Sequence, residues 1–234
     1  MEIRKLVKNI GKYLLLLGIV YFSMILFLLI MFRSIPIPSS AFMLTQNISA
    51  WHHNEPQRAV RYEWLAWEDL PKSAALAVIA AEDQRFPTHH GFDFTAIFHA
   101  LKSTRTQRRG ASTITQQVAK NLFLWSGRSY FRKGLEAGIS VLMEIVWSKQ
   151  RILEVYLNIA QFGKRDYGIQ SANRHLLKRK STRLNFSQAA LMASVLPAPN
   201  YFNLKHPSSR VRRKQRWIKQ QMRQLGGLHY LKRL

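Results

Sequence analysis

The stretch PKSAALAVIAAEDQRFPTHHGFD, residues 71–93, decides the fold. Pro71 stands where the first turn of a helix tolerates proline, and the residues through Ala81 are small or apolar without strand-like alternation, so the pattern predicts a helix. Directly after the apolar run AALAVIAA come Glu82, Asp83, Arg85, His89, His90 and Gly91. A helix leaving the core there delivers two carboxylates to a cleft or a surface. Neighbours on a helix point about 100° apart, so one carboxylate serves chemistry and the other serves structure. A carboxylate held in place among apolar atoms is suited to act as a general base. A solvated or ion-paired turn explains the same residues, and this stretch alone leaves both readings open.

Working outward, residues 116–125, 132–147, 150–158, 170–177, 187–196 and 211–225 also read as helices, separated by Gly, Pro or Ser. The expected fold class is therefore mainly α. With 234 residues and 47% hydrophobic content, the chain has material for one sizeable domain plus an anchor. Residues 13–32, YLLLLGIVYFSMILFLLIMF, carry no charge and as a helix would span the roughly 30 Å of a bilayer's hydrocarbon core. Arg4, Lys5, Lys8 and Lys12 precede them, which predicts a cytoplasmic amino terminus and a catalytic domain across the membrane. Arg33 and the spacer SIPIPSS follow in place of a small-residue cleavage site, so the segment reads as a retained signal anchor. The expected division is a basic tail at 1–12, the transmembrane segment at 13–32, a juxtamembrane spacer at 33–64 and the catalytic domain at 65–234. In the spacer and just beyond it, Trp51, Trp64 and Trp67 suit either a membrane interface or ordinary packing.

The 36 Lys and Arg outnumber the 12 Asp and Glu, for a net charge of +24, and this asks for an anionic partner. The anchor favours membrane lipid and a phosphorylated substrate over nucleic acid. Residues 108–120, RRGASTITQQVAK, open a helix with Thr113 and Gln116 in capping-box spacing, and a helix amino terminus beside cations suits phosphate. In residues 128–158, Arg128, Arg132 and Lys133 precede Glu136, which reads as an ionised organiser of cations. Leu135, Ile139, Leu142 and Ile145 have the spacing of a packed helix face. Glu144 and Glu154 fit surface or capping roles as readily as a functional one.

EDQRFPTHHG, GASTITQQVAKNLF, RKGLE followed by SKQRILEVYLN, and LMASVLPAPNYF stand in the order and spacing of the bacterial peptidoglycan glycosyltransferases, which the chain resembles from about Leu65 to near its carboxyl terminus. The resemblance implies a lysozyme-like, two-lobed fold of head and jaw, in the bacterial inner membrane with a periplasmic catalytic domain. It implies polymerisation of lipid II into glycan strands by an inverting transfer. Glu82 would be the base and Glu136 the second essential carboxylate. Lys120, Arg128 and Arg132 would contact the diphosphate. Ser112, Thr113, Gln116 and Gln117 match the donor-side motif, Asp83 and Phe86 match and shape the first motif, and His89 and Gly91 hold its turn. The resemblance permits a divalent cation, Mg2+ or Mn2+, at the diphosphate, although the sequence has no dedicated metal cage. It also admits cell-division or cell-wall synthesis proteins as partners. Gln161, His175 and Gln188 depart from the family's usual residues. Without Ser-x-x-Lys or Lys-Thr-Gly, a transpeptidase domain is not expected. A peptidoglycan-cleaving muramidase or lytic transglycosylase is the alternative, with a similar fold and a catalytic Glu but no need for a cationic diphosphate site.

Overall fold

The computed structural model describes residues 2–102, 112–127, 129–178 and 182–234. Helix α1 (Glu2–Met31) contains one segment, Asn9–Met31, long and apolar enough to cross a membrane. Its far end is docked on the folded body. Ile25 and Leu29 belong to the core, and the Leu29 carbonyl accepts a 2.7 Å hydrogen bond from the Trp147 indole. The Phe22 ring lies so close to Gly138 that a Cβ there would meet it at 3.0 Å. Arg151 donates to the carbonyls of Phe32 and Ile35, pairs with Glu154 and stacks over Trp64 at 5.0 Å. The chain leaving the span is thus fastened, with its carbonyls satisfied by a guanidinium.

The expected spacer is a folded part of the body. Helix α2 (Ala41–His52) starts at Ser40, whose hydroxyl accepts from the Met43 amide at 3.3 Å. The short strand β1 (Arg61–Tyr62) pairs in parallel with β2 (Asp166–Tyr167), forming the only sheet among the described residues. Gln46 joins the two regions, donating to the carbonyls of Arg58 and Lys164. Of the tryptophans, Trp51 is exposed, whereas Trp64 and Trp67 pack against the core.

Helix α3 (Lys72–Glu82) is buried along its whole length from Ser73 to Ala80. A helix apolar on every side is stable only when surrounded. Here the surroundings are α7 (Lys149–Ile159), α9 (Phe186–Val195) and α10 (Ser209–Gln224), and the alanines of α3 and α9 let the backbones approach. Helix α4 (Phe94–Lys102) follows the 3-10 turn Phe86–Thr88, and the Asp93 carboxylate accepts from the Ala96 amide near its start. Helices α5 (Ile114–Phe123) and α6 (Tyr130–Val146) pack together, with α5 also on α7. Helix α8 (Gly168–His175) follows β2.

The buried face of α6 is Arg132, Glu136, Ile139, Ser140 and Met143. This corrects the expected face, because Ile145 is exposed and the charged residues point inward. Glu144 and Glu154 are also corrected. Their carboxylates are almost fully buried, Glu144 with Lys149 and Thr115, and Glu154 with Arg151 and the Trp67 amide.

Candidate active site

Glu82 is the last residue of α3 and Asp83 its C-cap, so the helix ends between two carboxylates that diverge. Asp83 turns into the protein. Its carboxylate meets His89 Nε2 at 3.0 Å and accepts from the Ile114 amide, the first of α5, at 3.0 Å. That pairing ties the end of one helix to the start of another and uses the unpaired N–H groups of a helix amino terminus. Glu82 turns into a cleft of about 870 Å³, lined also by Arg85, Ser112, Gln117, Lys214 and Trp217. Its Oε2 accepts from Gln117 Nε2 at 3.2 Å, and its Oε1 lies 3.5 Å from Lys214 Nζ. Gln117 is itself oriented by Tyr156, whose hydroxyl donates to Gln117 Oε1 at 3.1 Å. Burial, reinforced by the charges of Glu82 and Asp83, raises the Tyr156 pKa well above its ordinary value, so the phenol stays a donor.

Thr113 and Gln116 form the expected capping box, each side chain accepting from the other's amide at 3.2 and 3.1 Å. The Thr113 hydroxyl also donates to the Gly91 carbonyl at 2.6 Å, and Gly91 has φ +83, a left-handed turn that glycine adopts readily. Both side chains are buried and turned on the scaffold. Phe86 is fully enclosed, with Lys149 4.6 Å from its ring centroid, so it supports the turn from beneath. His89 is buried and serves the same turn through Asp83.

The second carboxylate, Glu136, is buried between two cations. Arg132 Nη1 lies 2.7 Å from one oxygen and Lys133 Nζ contacts the other. Arg132 is steadied by donation to the Gly127 carbonyl, and Lys133 reaches the exposed Ser112 hydroxyl at 3.4 Å. Lys120, one helix away, lies in the fields of both Glu136 and Glu82. Burial lowers its pKa, with Glu136 opposing the shift and Arg132 and Lys133 adding to it. Arg128 lies outside the described residues. The arrangement is a carboxylate in a cleft and, joined to it where Ser112 lines that cleft and meets Lys133, a cationic group whose one buried anion leaves surplus positive charge.

The sequence profile of the family described as Transglycosylase matches residues 48–223. The chain belongs to the transglycosylase family. It is 50% identical to the biosynthetic peptidoglycan transglycosylase of Pectobacterium carotovorum subsp. carotovorum over 207 residues, 87% of this chain and 85% of that one. It is 50% identical to the protein of that name from Mannheimia succiniciproducens over 206 residues, 87% of this chain and 84% of that one. The protein of that name from Chromohalobacter salexigens is 44% identical over 225 residues, covering 95% and 96% of the two chains. This transglycosylase is accordingly a mainly helical, lysozyme-like enzyme of peptidoglycan glycosyl transfer with one apolar amino-terminal helix fit to anchor it. None of these relatives supports the cleavage reading.

Lys214 and Tyr156 are the transglycosylase residues that sequence reasoning missed. Tyr156 lies in a quoted motif, SKQRILEVYLN, and could have been singled out there. The three departures from the family pattern are local. Gln188 completes a capping box with Asn185, a role Gln and Glu share. His175 sits beside Ser171 and Asp166, and Gln161 donates to Asn200 Oδ1 at 3.0 Å. Gln161 lines a second cleft of about 1190 Å³ to which neither Glu82 nor Glu136 contributes. A protein-borne metal at Glu136 does not fit: both its oxygens carry cations, and no cluster of three His, Asp or Glu stands among the described residues.

Proposed function

We propose that the chain polymerises lipid II, the undecaprenyl-diphosphate-linked disaccharide pentapeptide, transferring the growing strand to the acceptor's GlcNAc 4-hydroxyl. Glu82 removes the hydroxyl proton as the oxygen attacks the anomeric carbon of the donor. The bond from that carbon to the diphosphate oxygen breaks, and its electron pair leaves with undecaprenyl diphosphate. Attack from the opposite face converts the α-linked diphosphate into a β-1,4 glycoside. The carrying observation is that Ser112, in the lining of the Glu82 cleft, meets Lys133 of the Glu136 cluster at 3.4 Å, so the carboxylate and the cations face one space.

An inverting transfer from a diphosphate needs a base on the attacking face and positive charge at the leaving group. Lys120, Arg128 and Arg132, with Lys133 and Ser112, receive the diphosphate in this reading, and Glu136 holds the cations in place. Gln117 orients Glu82, Asp83 and Thr113 line the cleft, and the buried Phe86 and Gln116 support it from behind. No step passes through a divalent ion; if one takes part, it arrives with the diphosphate. Arg4, Lys5, Lys8 and Lys12, which precede the apolar stretch of α1, support a cytoplasmic amino terminus, a periplasmic domain in the inner membrane, and contact with membrane lipid. Cell-wall synthesis proteins are partners to be sought by pull-down of the anchored chain.

The test incubates detergent-solubilised protein with labelled lipid II and separates products before and after lysozyme digestion. Lysozyme-sensitive polymer supports the reading. Shortening of purified glycan strands without polymer would replace it with cleavage.

A further inference from the structure

Helix α10, SRVRRKQRWIKQQMRQ, carries seven Lys and Arg in 16 residues, which by composition suits a lipid surface. Its packing says something more specific. Val211, Gln215, Ile218 and Met222 are buried, fixing the helix against α3 and α9, while Arg212, Arg213 and Arg216 are exposed. Lys214 is different. It is partly buried and directs its ammonium across the cleft to Glu82 Oε1 at 3.5 Å.

We propose that Lys214 is a positioning residue for the base, reaching it from a helix otherwise given to packing and surface charge. The proposal rests on the assignment of Glu82 as base. Glu82 ends its helix, so its carboxylate has rotatable bonds and no following turn to confine it. Two elements confine it instead: Gln117 from α5 holds Oε2 and Lys214 from α10 holds Oε1. The α10 side of this clamp is rigid. Gln215 Nε2 donates to the Ser187 carbonyl at 2.8 Å, and Gln221 Oε1 accepts from Gln84 Nε2 at 3.0 Å. Tyr230, just beyond α10, donates to the Gln84 carbonyl at 2.6 Å, two residues from the base. At 3.5 Å the Lys214 contact orients by charge and leaves Oε1 a lone pair for the acceptor hydroxyl.

The experiment compares full-length wild type with Lys214→Met, Lys214→Gln, Lys214→Arg, Arg216→Met and Glu82→Gln, measuring polymerisation of labelled lipid II in detergent and the thermal midpoint of each protein. Misplacing a base by about 1 Å costs on the order of 100-fold, so Lys214→Met and Lys214→Gln are expected to lower kcat by about 10- to 100-fold with KM within about twofold. Lys214→Arg restores kcat to within about threefold because it returns the charge. Arg216→Met, on the same helix but exposed, leaves kcat unchanged. Wild-type kcat in both neutral variants overturns the proposal, as does an effect confined to KM. Failure of Lys214→Arg to restore kcat also overturns it, as does an equal loss in Arg216→Met. Should Lys214→Met lower the midpoint, the contrast between Lys214→Gln and Lys214→Arg carries the same decision. Normal turnover by Glu82→Gln would instead remove the base assignment itself, separating the two failures.

Discussion

Asp83 and Glu82 are consecutive acids with opposite fates, and hydrogen bonding explains the difference. Asp83 is buried with His89 and the Ile114 amide on its oxygens, whereas Glu82, met by Gln117 and Lys214, keeps lone pairs facing a cleft. The sequence made that division legible, because adjacent helical residues cannot face one atom, but it left open which partners would hold each acid. Tyr156→Phe removes the donor that orients Gln117, and should lower turnover by about tenfold or less while costing about 1 kcal/mol of stability, read by steady-state rates and urea unfolding. Lys120 supplies a pH prediction. Burial lowers its pKa below the ordinary 10.5, and an arriving diphosphate raises it by pairing with the ammonium. The bound form therefore holds the proton more tightly than the free form. Binding should be strongest below the lowered value and weaken as pH rises through it, and Lys120→Arg should abolish that alkaline loss in a titration of lipid II affinity.

Among the elements, those with an uninterrupted helical pattern were legible, α3 and α5 to α10 within a few residues. Two helices were not. In α2, AFMLTQNISAWH, only Met43 and Ala50 are buried, so no apolar stripe advertises it. In α4, FTAIFHALK, the run is only nine residues long, and periodicity in so short an apolar run does not separate helix from strand. The β1–β2 pair joins two-residue strands more than a hundred positions apart, a contact that local pattern does not encode. The inward charges of α6 escaped a reading based on apolar spacing because Glu136 is buried with cations that neutralise it. Caps were more legible than packing. Thr113→Ala should destabilise by about 1–2 kcal/mol in chemical unfolding, since it removes the α5 cap. Gly168 has φ +80, and a Cβ there would meet the Asn158 carbonyl oxygen at 2.5 Å. Gly168→Ala should cost more than about 2 kcal/mol and disturb the Asn158 bonds that hold the Leu65 backbone.

For the whole molecule, the division into anchor and domain understates their union. The end of α1 contributes core residues, Trp147 donates to its Leu29 carbonyl, and Arg151 donates to the Phe32 and Ile35 carbonyls of the linker beyond. Deleting residues 1–40 should lower the thermal midpoint in detergent, because a buried indole N–H left without its acceptor costs about 1–3 kcal/mol. An unchanged midpoint would make the anchor a mere tether. The charge of +24 was legible as a demand for anionic partners, but where the cations act depends on folding. Arg132 and Lys133 are gathered at Glu136, and Lys214 is turned toward Glu82, by contacts between separate helices. The central claim is that the carboxylate ending α3 is the base of glycan polymerisation. The direct measurement is the polymerisation rate of Glu82→Gln beside wild type, with lipid II affinity determined on the same preparations. The account predicts a rate lower by about 10² to 10⁴ with affinity within about twofold. Turnover near the wild-type rate would contradict it.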